Sequence, residues 1–286
     1  MDNYLEVRHL GKSFPGFALK DVSFELPKGY MMGLIGPNGS GKTTTIKLIL
    51  DLLKRESGEI RVLGMDAQTD ALAVRSVLGV VFDANCFCEE WRVSDVERNL
   101  SGFYASWNAG RFAELCTRFG LEGRKKVKAL SKGMQMKLML ACALSYDAKL
   151  LILDEPTSGL DPISRDELLT LLSAYIEDGE HSVLFSTHIT SDLERAADYI
   201  TYIRQGEVFY TGSKDEFLER WRIVRGGPEE LTDDLRRKAL GLRTFSTGFE
   251  ALIPADERRS YPYLASEKPT IDDILVFTNR KGEFDA

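Results

Sequence analysis

Hydrophobic and polar positions follow two different spacings in the first 210 or so residues of the chain. Close to the N-terminus they alternate with a period of two on both sides of a turn, which predicts a pair of antiparallel strands. Apolar residues at helical spacing follow, separated by short apolar runs. These runs predict buried strands at 30–35, 77–82, 150–153 and 182–188. Strands that alternate with helices predict an α/β fold with a mostly parallel sheet.

The pattern changes at two points, which divide the chain. Residues 84–146 have mostly helical character, so we expect a helical insertion in the α/β core. Its helices are predicted at 93–105, 111–119 and 134–144. After the insertion strands and helices alternate again, and only beyond about residue 212 does the periodicity weaken. We therefore expect a core domain over 1–212 and a small α/β module over 213–286. The module is predicted to contain a strand at 220–224 and helices at 233–240 and 271–277.

The composition limits which classes of protein fit this pattern. The 286 residues carry a net charge of −7, which argues against a general grip on nucleic acid, so no nucleic-acid partner is expected. No apolar run approaches the roughly 18 to 20 residues that a membrane-spanning helix requires. The first residues are too polar for a secretory signal. We therefore expect a cytoplasmic protein whose four cysteines are free thiols.

The strongest chemical signal follows the apolar run at 30–35. It fits G-x-x-x-x-G-K-[ST], a glycine-rich loop between a strand and a helix. The backbone N–H groups of such a loop point at phosphate oxygens, and the helix adds the positive end of its dipole. Lys42 is placed to reach the β- and γ-phosphates, and the Thr43 hydroxyl to bind Mg²⁺. The predicted nucleotide-binding residues here are Gly36, Pro37, Asn38, Gly39, Ser40, Gly41, Lys42, Thr43 and Thr44.

Two carboxylates follow the apolar run at 150–153. Asp154 and Glu155 end a strand that is predicted to be buried on both faces, at the sheet edge where α/β folds bind ligands. Asp154 is placed to hold Mg²⁺ through water. Glu155 is placed to act on the attacking water, either as a general base or by orienting it. An acidic pair is also typical of an ordinary solvated strand end, but its combination with the glycine-rich loop favours the catalytic interpretation.

A third motif begins a helix ahead of that strand. Residues 130–134 read L-S-K-G-M, and Ser131 is a good N-cap, so a second helix N-terminus is available to an anion. The alternative is a helix cap without a ligand. One phosphate does not need two such sites in one chain, so this helix end is expected to meet a γ-phosphate held by another copy. Here the chain resembles the ABC ATPase family, whose pattern at this place is L-S-G-G-Q.

The resemblance covers residues 4–211 and implies further site residues. Ser131 and Gly133 keep the phosphate-facing positions of the family, whereas Lys132 and Met134 depart from its pattern. Residues 158–161 match the segment that links two ATP sites in the family, and this segment ends at Asp161.

Three further positions match the order of the family. His188 resembles the switch histidine that contacts the γ-phosphate, and it joins Lys42 and Glu155 as the implied catalytic residues. Phe14 lies where the family stacks an aromatic residue on adenine, with Tyr4 and Phe17 interpreted as core aromatics.

Asp83 stands where the family usually has a glutamine that offers an oxygen to Mg²⁺. A carboxylate offers an oxygen too, so the predicted metal ligands are Thr43, Asp83 and Asp154. The alternative is that Asp83 is a loop residue that caps the next segment.

The resemblance implies a P-loop NTPase core with an N-terminal antiparallel β subdomain, an inserted helical subdomain and a small C-terminal α/β appendage. It implies an ATP-hydrolysing subunit of an ABC transporter that uses ATP and Mg²⁺. A second copy, or a homologous ATPase subunit, is expected to complete a nucleotide sandwich. A separate integral-membrane permease is expected to hold the pair at the inner face of the cell membrane.

The departures from the family pattern look more like the ATPases of bacterial ABC-2-type exporters. The alternative is a soluble ABC ATPase that acts on a macromolecular complex instead of a transporter. Such proteins normally carry two ATPase domains in one chain, and this chain has a single glycine-rich phosphate loop.

Overall fold

Three β-sheets contain all fourteen strands found among residues 2–279, which is the part of the chain that this computed structural model describes. The described residues form two compact units, which divide between Thr211 and Gly212. No helix within residues 2–279 combines the length and the apolar character needed to cross a bilayer.

The first unit opens with an antiparallel sheet in the order β2-β1-β4-β5. Its strands are β1 (Asn3–Phe14), β2 (Phe17–Pro27), β4 (Ser57–Val62) and β5 (Met65–Asp66). The pairing of β1 with β2 confirms the antiparallel start that the period-two pattern predicts. Buried side chains of this sheet and of the parallel sheet join one hydrophobic cluster, so the two sheets share a core.

The second sheet of this unit has six strands in the order β10-β9-β3-β8-β7-β6. They are β3 (Met31–Ile35), β6 (Leu78–Val81), β7 (Leu150–Asp154), β8 (Ser182–Thr187), β9 (Tyr199–Arg204) and β10 (Glu207–Ser213). Strands β9, β3, β8, β7 and β6 run parallel, and every residue of β3, β7 and β8 is buried. The mostly parallel sheet predicted from the apolar runs is therefore confirmed.

Helices connect these strands. Four of them belong to the α/β core: α1 (Lys42–Ile49), α2 (Ala71–Val77), α6 (Pro162–Ile176) and α7 (Thr190–Ala196). The predicted helical insertion lies between β6 and β7 and contains α3 (Val93–Leu100), α4 (Ala109–Arg118) and α5 (Lys132–Ala143). Helix α3 is shorter than predicted, because the chain makes turns after Leu100. Helix α5 starts earlier than predicted, directly after the cap Ser131.

The second unit has its own sheet, in the order β12-β13-β11-β14, with antiparallel pairing throughout. Its elements are α8 (Lys214–Glu219), β11 (Trp221–Gly226), α9 (Asp233–Lys238), β12 (Gly241–Phe245), β13 (Gly248–Pro254), β14 (Ala265–Glu267) and α10 (Ile271–Asn279). A cluster that includes Val224, Leu235 and Phe249 forms a hydrophobic core here. The strand and the two helices predicted for this region are present, and the hairpin of β12 and β13 was not predicted.

Candidate nucleotide-binding site

The glycine-rich loop joins the end of β3 to the start of α1. Strand β3 is buried along its whole length, so the loop starts at the carboxyl edge of the parallel sheet. Gly36 has a φ of 151°, and a Cβ built on it would lie 2.1 Å from the carbonyl oxygen of Ile203. A side chain at this position would therefore push the loop off the sheet. The glycine lets the backbone stay close enough to surround a phosphate.

Lys42 lies at the end of this loop, as the first residue of α1, and is 6% exposed. Its Nζ donates to the carbonyl oxygen of Gly36 at 2.8 Å and to that of Pro37 at 3.3 Å, and it lies 4.0 Å from Glu155 Oε1. Burial lowers the pKa of Lys42, and the nearby carboxylates of Glu155 and Asp154 partly oppose this shift. Phosphate oxygens would supply the negative charge that a buried ammonium group requires.

Asp154 is buried at the end of β7 and is held from two sides. Its Oδ1 accepts from Thr43 Oγ1 at 3.2 Å and from Ser186 Oγ at 2.6 Å. Ser186 Oγ also accepts from the backbone N–H of Glu155 at 2.9 Å. Ser186 therefore fixes both residues of the acidic pair. Ser186 was not predicted as a site residue, although a serine inside the apolar run at 182–188 is a signal of a buried polar contact.

Glu155 is held between a lysine and a histidine. Its Oε2 lies 2.6 Å from Nδ1 of His188, while its other carboxylate oxygen, Oε1, is the one nearest to Lys42. The backbone of Glu155 has a φ of 51°, in the left-handed region that residues other than glycine seldom adopt. Strained backbone of this kind collects at functional sites, where surrounding contacts fix it. The observed contacts bring together Lys42, Glu155 and His188, the three predicted catalytic residues.

An open cavity of about 600 Å³ lies over these groups. It is lined by Gly16, Phe17, Asn38, Gly39, Ser40, Gly41, Lys42, Thr43, Thr44, Asp83, Lys132, Glu155, Ser158 and His188. Phe14 does not line it but stacks on Phe17, with ring centroids 6.4 Å apart. Gly36, Pro37 and Asp154 are not part of its lining.

A second cavity, of about 220 Å³, collects the remaining predicted site residues. Its lining is Ser131, Lys132, Gly133, Met134, Lys137, Gly159, Leu160, Asp161 and Ser164. Ser131 Oγ accepts from the backbone N–H of Met134 at 3.3 Å, as an N-cap does. Asp161 caps α6 in the same way, and its bonds to Ser164 and Ile163 lower the pKa of its carboxyl group. Two capped helix N-termini therefore border this cavity.

The donors of the first cavity fit a magnesium nucleotide. Ser40 Oγ is buried, and no hydrogen-bond partner for it exists among the described residues, as expected for a hydroxyl placed to meet a phosphate oxygen. Thr43, Asp83 and Asp154 offer a hydroxyl and two carboxylates, the hard oxygen ligands that Mg²⁺ takes.

A buried network outside both cavities was not predicted. Thr157 Oγ1 donates to Asp192 Oδ2 at 2.6 Å, and both side chains are almost completely buried. Burial raises the pKa of the Asp192 carboxyl group. Asp192 belongs to α7, which follows His188, and Thr157 precedes the segment 158–161. The bond thus ties together two of the segments that line the cavities.

Comparisons with known proteins identify the family of the chain. The ABC transporter family model matches residues 19–158. The ABC transporter ATP-binding protein NatA of Bacillus subtilis (strain 168) is 31% identical over 211 residues, which are 72% of this chain and 85% of NatA. The chain belongs to the ABC transporter ATP-binding proteins. It is also 33% identical over 252 residues to the Nod factor export ATP-binding protein I of Sinorhizobium fredii (strain NBRC 101917 / NGR234), covering 81% of this chain and 71% of that protein.

Solved structures of ABC ATPases are also similar to this chain in fold. An ATP-binding subunit of an ABC transporter superposes with a TM-score of 0.70 at 30% identity, over 74% of this chain and 91% of the other. The dimeric post-hydrolysis structure of the ATP-binding cassette MJ0796, bound to ADP and Pi, gives a TM-score of 0.65 at 25% identity, over 73% and 98% of the two chains. The chain is an ATP-binding and ATP-hydrolysing protein of this family.

Proposed function

We propose that two copies of this ABC ATPase, or one copy and a homologous subunit, close around two ATP molecules. The observation that carries the proposal is the division of phosphate-binding groups between two cavities. The first cavity holds the glycine-rich loop, Lys42 and the acidic pair. The second cavity offers two helix N-termini, and no residue of the glycine-rich phosphate loop lines it. Closure would place the second cavity of one copy over the γ-phosphate held in the first cavity of the other.

The groups of the first cavity then divide the chemistry. Lys42 balances negative charge on the β- and γ-phosphates. Glu155 orients the attacking water or accepts its proton, while His188 holds the Glu155 carboxylate in place at 2.6 Å. Mg²⁺, held by Thr43 and Asp154 with Asp83 as a further oxygen donor, would neutralise charge that develops on the phosphates. Phe17, with Phe14 stacked behind it, gives adenine an aromatic surface at the cavity rim.

Hydrolysis would remove the γ-phosphate that joins the two copies, so that the pair opens again. We propose that this cycle drives export through a separate integral-membrane permease, which holds the ATPase at the inner face of the membrane. The names of two relatives support a transporter role: NatA is an ABC transporter ATP-binding protein, and the other is a Nod factor export ATP-binding protein. In this arrangement residues 1–212 act as the ATPase domain and residues 213–286 as an accessory module.

A groove in the first unit fits the permease contact. It encloses about 210 Å³ and is lined mainly by apolar side chains, among them Leu52, which is 58% exposed. Phe82 also lines the groove, and the next residue, Asp83, lines the nucleotide cavity. A cytoplasmic segment of the permease with apolar side chains would therefore contact the same stretch of chain that reaches the nucleotide.

Light scattering on a Glu155→Gln variant tests the sandwich, because this variant should bind ATP without hydrolysing it. With ATP and Mg²⁺ this variant is expected to be dimeric, and with ADP it is expected to be monomeric. A monomer under both conditions would contradict the closed pair.

The permease contact is tested by pulling down the tagged chain from mildly solubilised membranes of the native cell. A multi-spanning membrane protein in a fixed ratio is the expected result. A Leu52→Asp variant should lose it, whereas Leu72→Asp should keep it, because Leu72 is 83% exposed and lies outside the groove. Recovery with ribosomes, with DNA or alone would contradict the transport role and leave the ATPase chemistry intact.

A further inference from the structure

Lys132 is shared between the two cavities. It is the first residue of α5, and among residues 2–279 it alone lines both the nucleotide cavity and the second cavity. The ABC ATPase pattern has a glycine at this position, so neither the family motif nor the roles proposed above assign a task to this side chain.

The segment 158–161, whose residues line one or other of the two cavities, passes close to the Lys132 amine. Ser158 lines the nucleotide cavity, and Gly159, Leu160 and Asp161 line the second one. A Cβ built on Gly159 would lie 3.9 Å from Lys132 Nζ, so the ammonium group packs against the middle of this segment. From that place one side chain borders both cavities without any rearrangement of the backbone.

The charge of Lys132 is not balanced locally. Lys42 and Lys137 also line these cavities, and each lies within ion-pair distance of a glutamate, at 4.0 Å from Glu155 and 3.2 Å from Glu167. Lys132 has no ion pair or hydrogen bond through its amine to any residue between 2 and 279. An exposed ammonium group without a carboxylate partner is free to turn towards the negative charge of a triphosphate.

We propose that Lys132 is an ATP-contacting residue that couples the two nucleotide sites of the pair. In the separate chain its amine faces the nucleotide cavity of its own copy. On closure it turns across residues 158–161 to the γ-phosphate that the partner's loop presents at the second cavity. The inference rests on the two-copy arrangement proposed above and adds to it a charged contact where the family pattern has only backbone.

Association of the pair in the Glu155→Gln background tests this coupling. Adding Lys132→Gln should raise the ATP concentration for half-maximal association about tenfold, as expected from the loss of one charge-assisted hydrogen bond. It should also weaken the dependence of association on ionic strength, because one screened attraction is lost at each of the two nucleotide sites. Lys132→Arg should restore both properties, and Lys125→Gln should change neither, since Lys125 lines neither cavity.

The same variants in the hydrolysing protein give a second readout. The Hill coefficient for ATP should fall towards 1 with Lys132→Gln and remain at the parent value with Lys132→Arg. If the Glu155→Gln parent associates and Lys132→Gln matches it in midpoint, salt dependence and Hill coefficient, the coupling is wrong and the sandwich stands. If the parent itself does not associate in ATP, the sandwich is wrong and the coupling falls with it.

Discussion

The two cavities of the first unit differ in how completely one chain builds them. Around the nucleotide cavity, Lys42, Thr43, Asp154, Glu155 and His188 come from three different segments and contact one another across the ends of β3, β7 and β8. Around the second cavity, the bonds are local: Ser131 caps its own helix and Asp161 caps the next one.

This difference indicates which of the two cavities is preorganised before ATP binds and the pair closes. A set of charged groups that are mostly buried and held by mutual contacts keeps its geometry without a ligand, which is the condition for electrostatic catalysis. An exposed helix end attracts an anion but does not orient it on its own. The nucleotide cavity is therefore expected to bind ATP in a single copy, whereas the second cavity should act only once another copy supplies the phosphate.

The largest effect is expected from the nucleotide cavity itself. Lys42→Ala removes the one buried ammonium group between the phosphate loop and Glu155. We expect turnover to fall about a thousandfold or more, the upper range for loss of one preorganised charge contact, together with ATP affinity. Equilibrium ATP titration and steady-state turnover measure the two losses. Lys42→Ala with unchanged ATP affinity would contradict the placement of the triphosphate in this cavity.

A change in the second cavity should separate binding from turnover. Gly133→Asp puts a carboxylate at the N-terminal end of α5, where it would repel the partner's γ-phosphate. We expect turnover to fall about a hundredfold while a single copy still binds ATP, because the charge repulsion acts only in the closed pair. ATP titration of the variant, compared with its ATPase rate, measures both quantities.

Gly102→Asp is the matched control for that variant, since Gly102 lies in the helical insertion and lines neither cavity, and a Cβ built on it would make only an ordinary contact, 3.9 Å from the Asn99 carbonyl oxygen. It should behave as the parent does. Equal losses of ATP affinity and turnover in Gly133→Asp would mean that the second cavity serves the chain's own nucleotide.

A smaller effect is expected from Ser186, which is hydrogen-bonded to both residues of the acidic pair. Ser186→Ala removes one hydrogen bond to Asp154 and one from the backbone of Glu155. Two such bonds are worth about 1 kcal/mol each, so we expect turnover to fall about tenfold or somewhat more. The Mg²⁺ concentration for half-maximal activity should rise as well, because Asp154 loses its orientation. An unchanged Mg²⁺ requirement would show that Thr43 alone fixes Asp154.

Ser186 also illustrates what the sequence could predict and what it could not. The phosphate loop, the acidic pair and His188 each follow an apolar run directly, and parallel strands bring their ends to one edge, so their meeting was predictable. Ser186 and Asp192 act through contacts with residues 32 and 35 positions away. Such pairs depend on strand order and helix placement, which local patterns do not encode.

The C-terminal unit shows a different limit. Strand β14 has no buried residue, and β12 has none that is fully buried, so neither carries the apolar alternation that would predict a strand. Strand β12 pairs with β13, and β14 pairs with β11. These pairings depend on the assembled sheet and not on the local sequence of the two strands. The aromatic side chain at the nucleotide cavity was uncertain for a related reason, because Phe14 and Phe17 flank one tight turn and local spacing does not say which of them faces the cavity.

The smallest effect is expected on the stability of the fold, at the buried Thr157–Asp192 hydrogen bond that links segments lining the two cavities. Because burial raises the pKa of Asp192, the folded chain binds this proton more tightly than the unfolded chain does. The stabilising contribution of the protonated form is complete below the ordinary pKa of an aspartate and is lost as the pH rises through the raised value. Asp192→Asn cannot ionise but can still accept the Thr157 bond, so its stability relative to the parent should increase with pH across that window.

Denaturant unfolding of both proteins at about pH 5 and pH 8 measures this change, which is expected to be on the order of 1 kcal/mol. Asp178→Asn supplies a flat control, because the backbone N–H of Glu180 and the His181 side chain lower the pKa of Asp178, so that its carboxyl group is ionised at both pH values in the folded and in the unfolded chain. The stability of that variant relative to the parent should not change between about pH 5 and pH 8. If the relative stability of Asp192→Asn is equally flat, then Asp192 is already ionised in the folded chain at about pH 5, and it is the carboxylate that accepts the Thr157 bond and holds the two segments together.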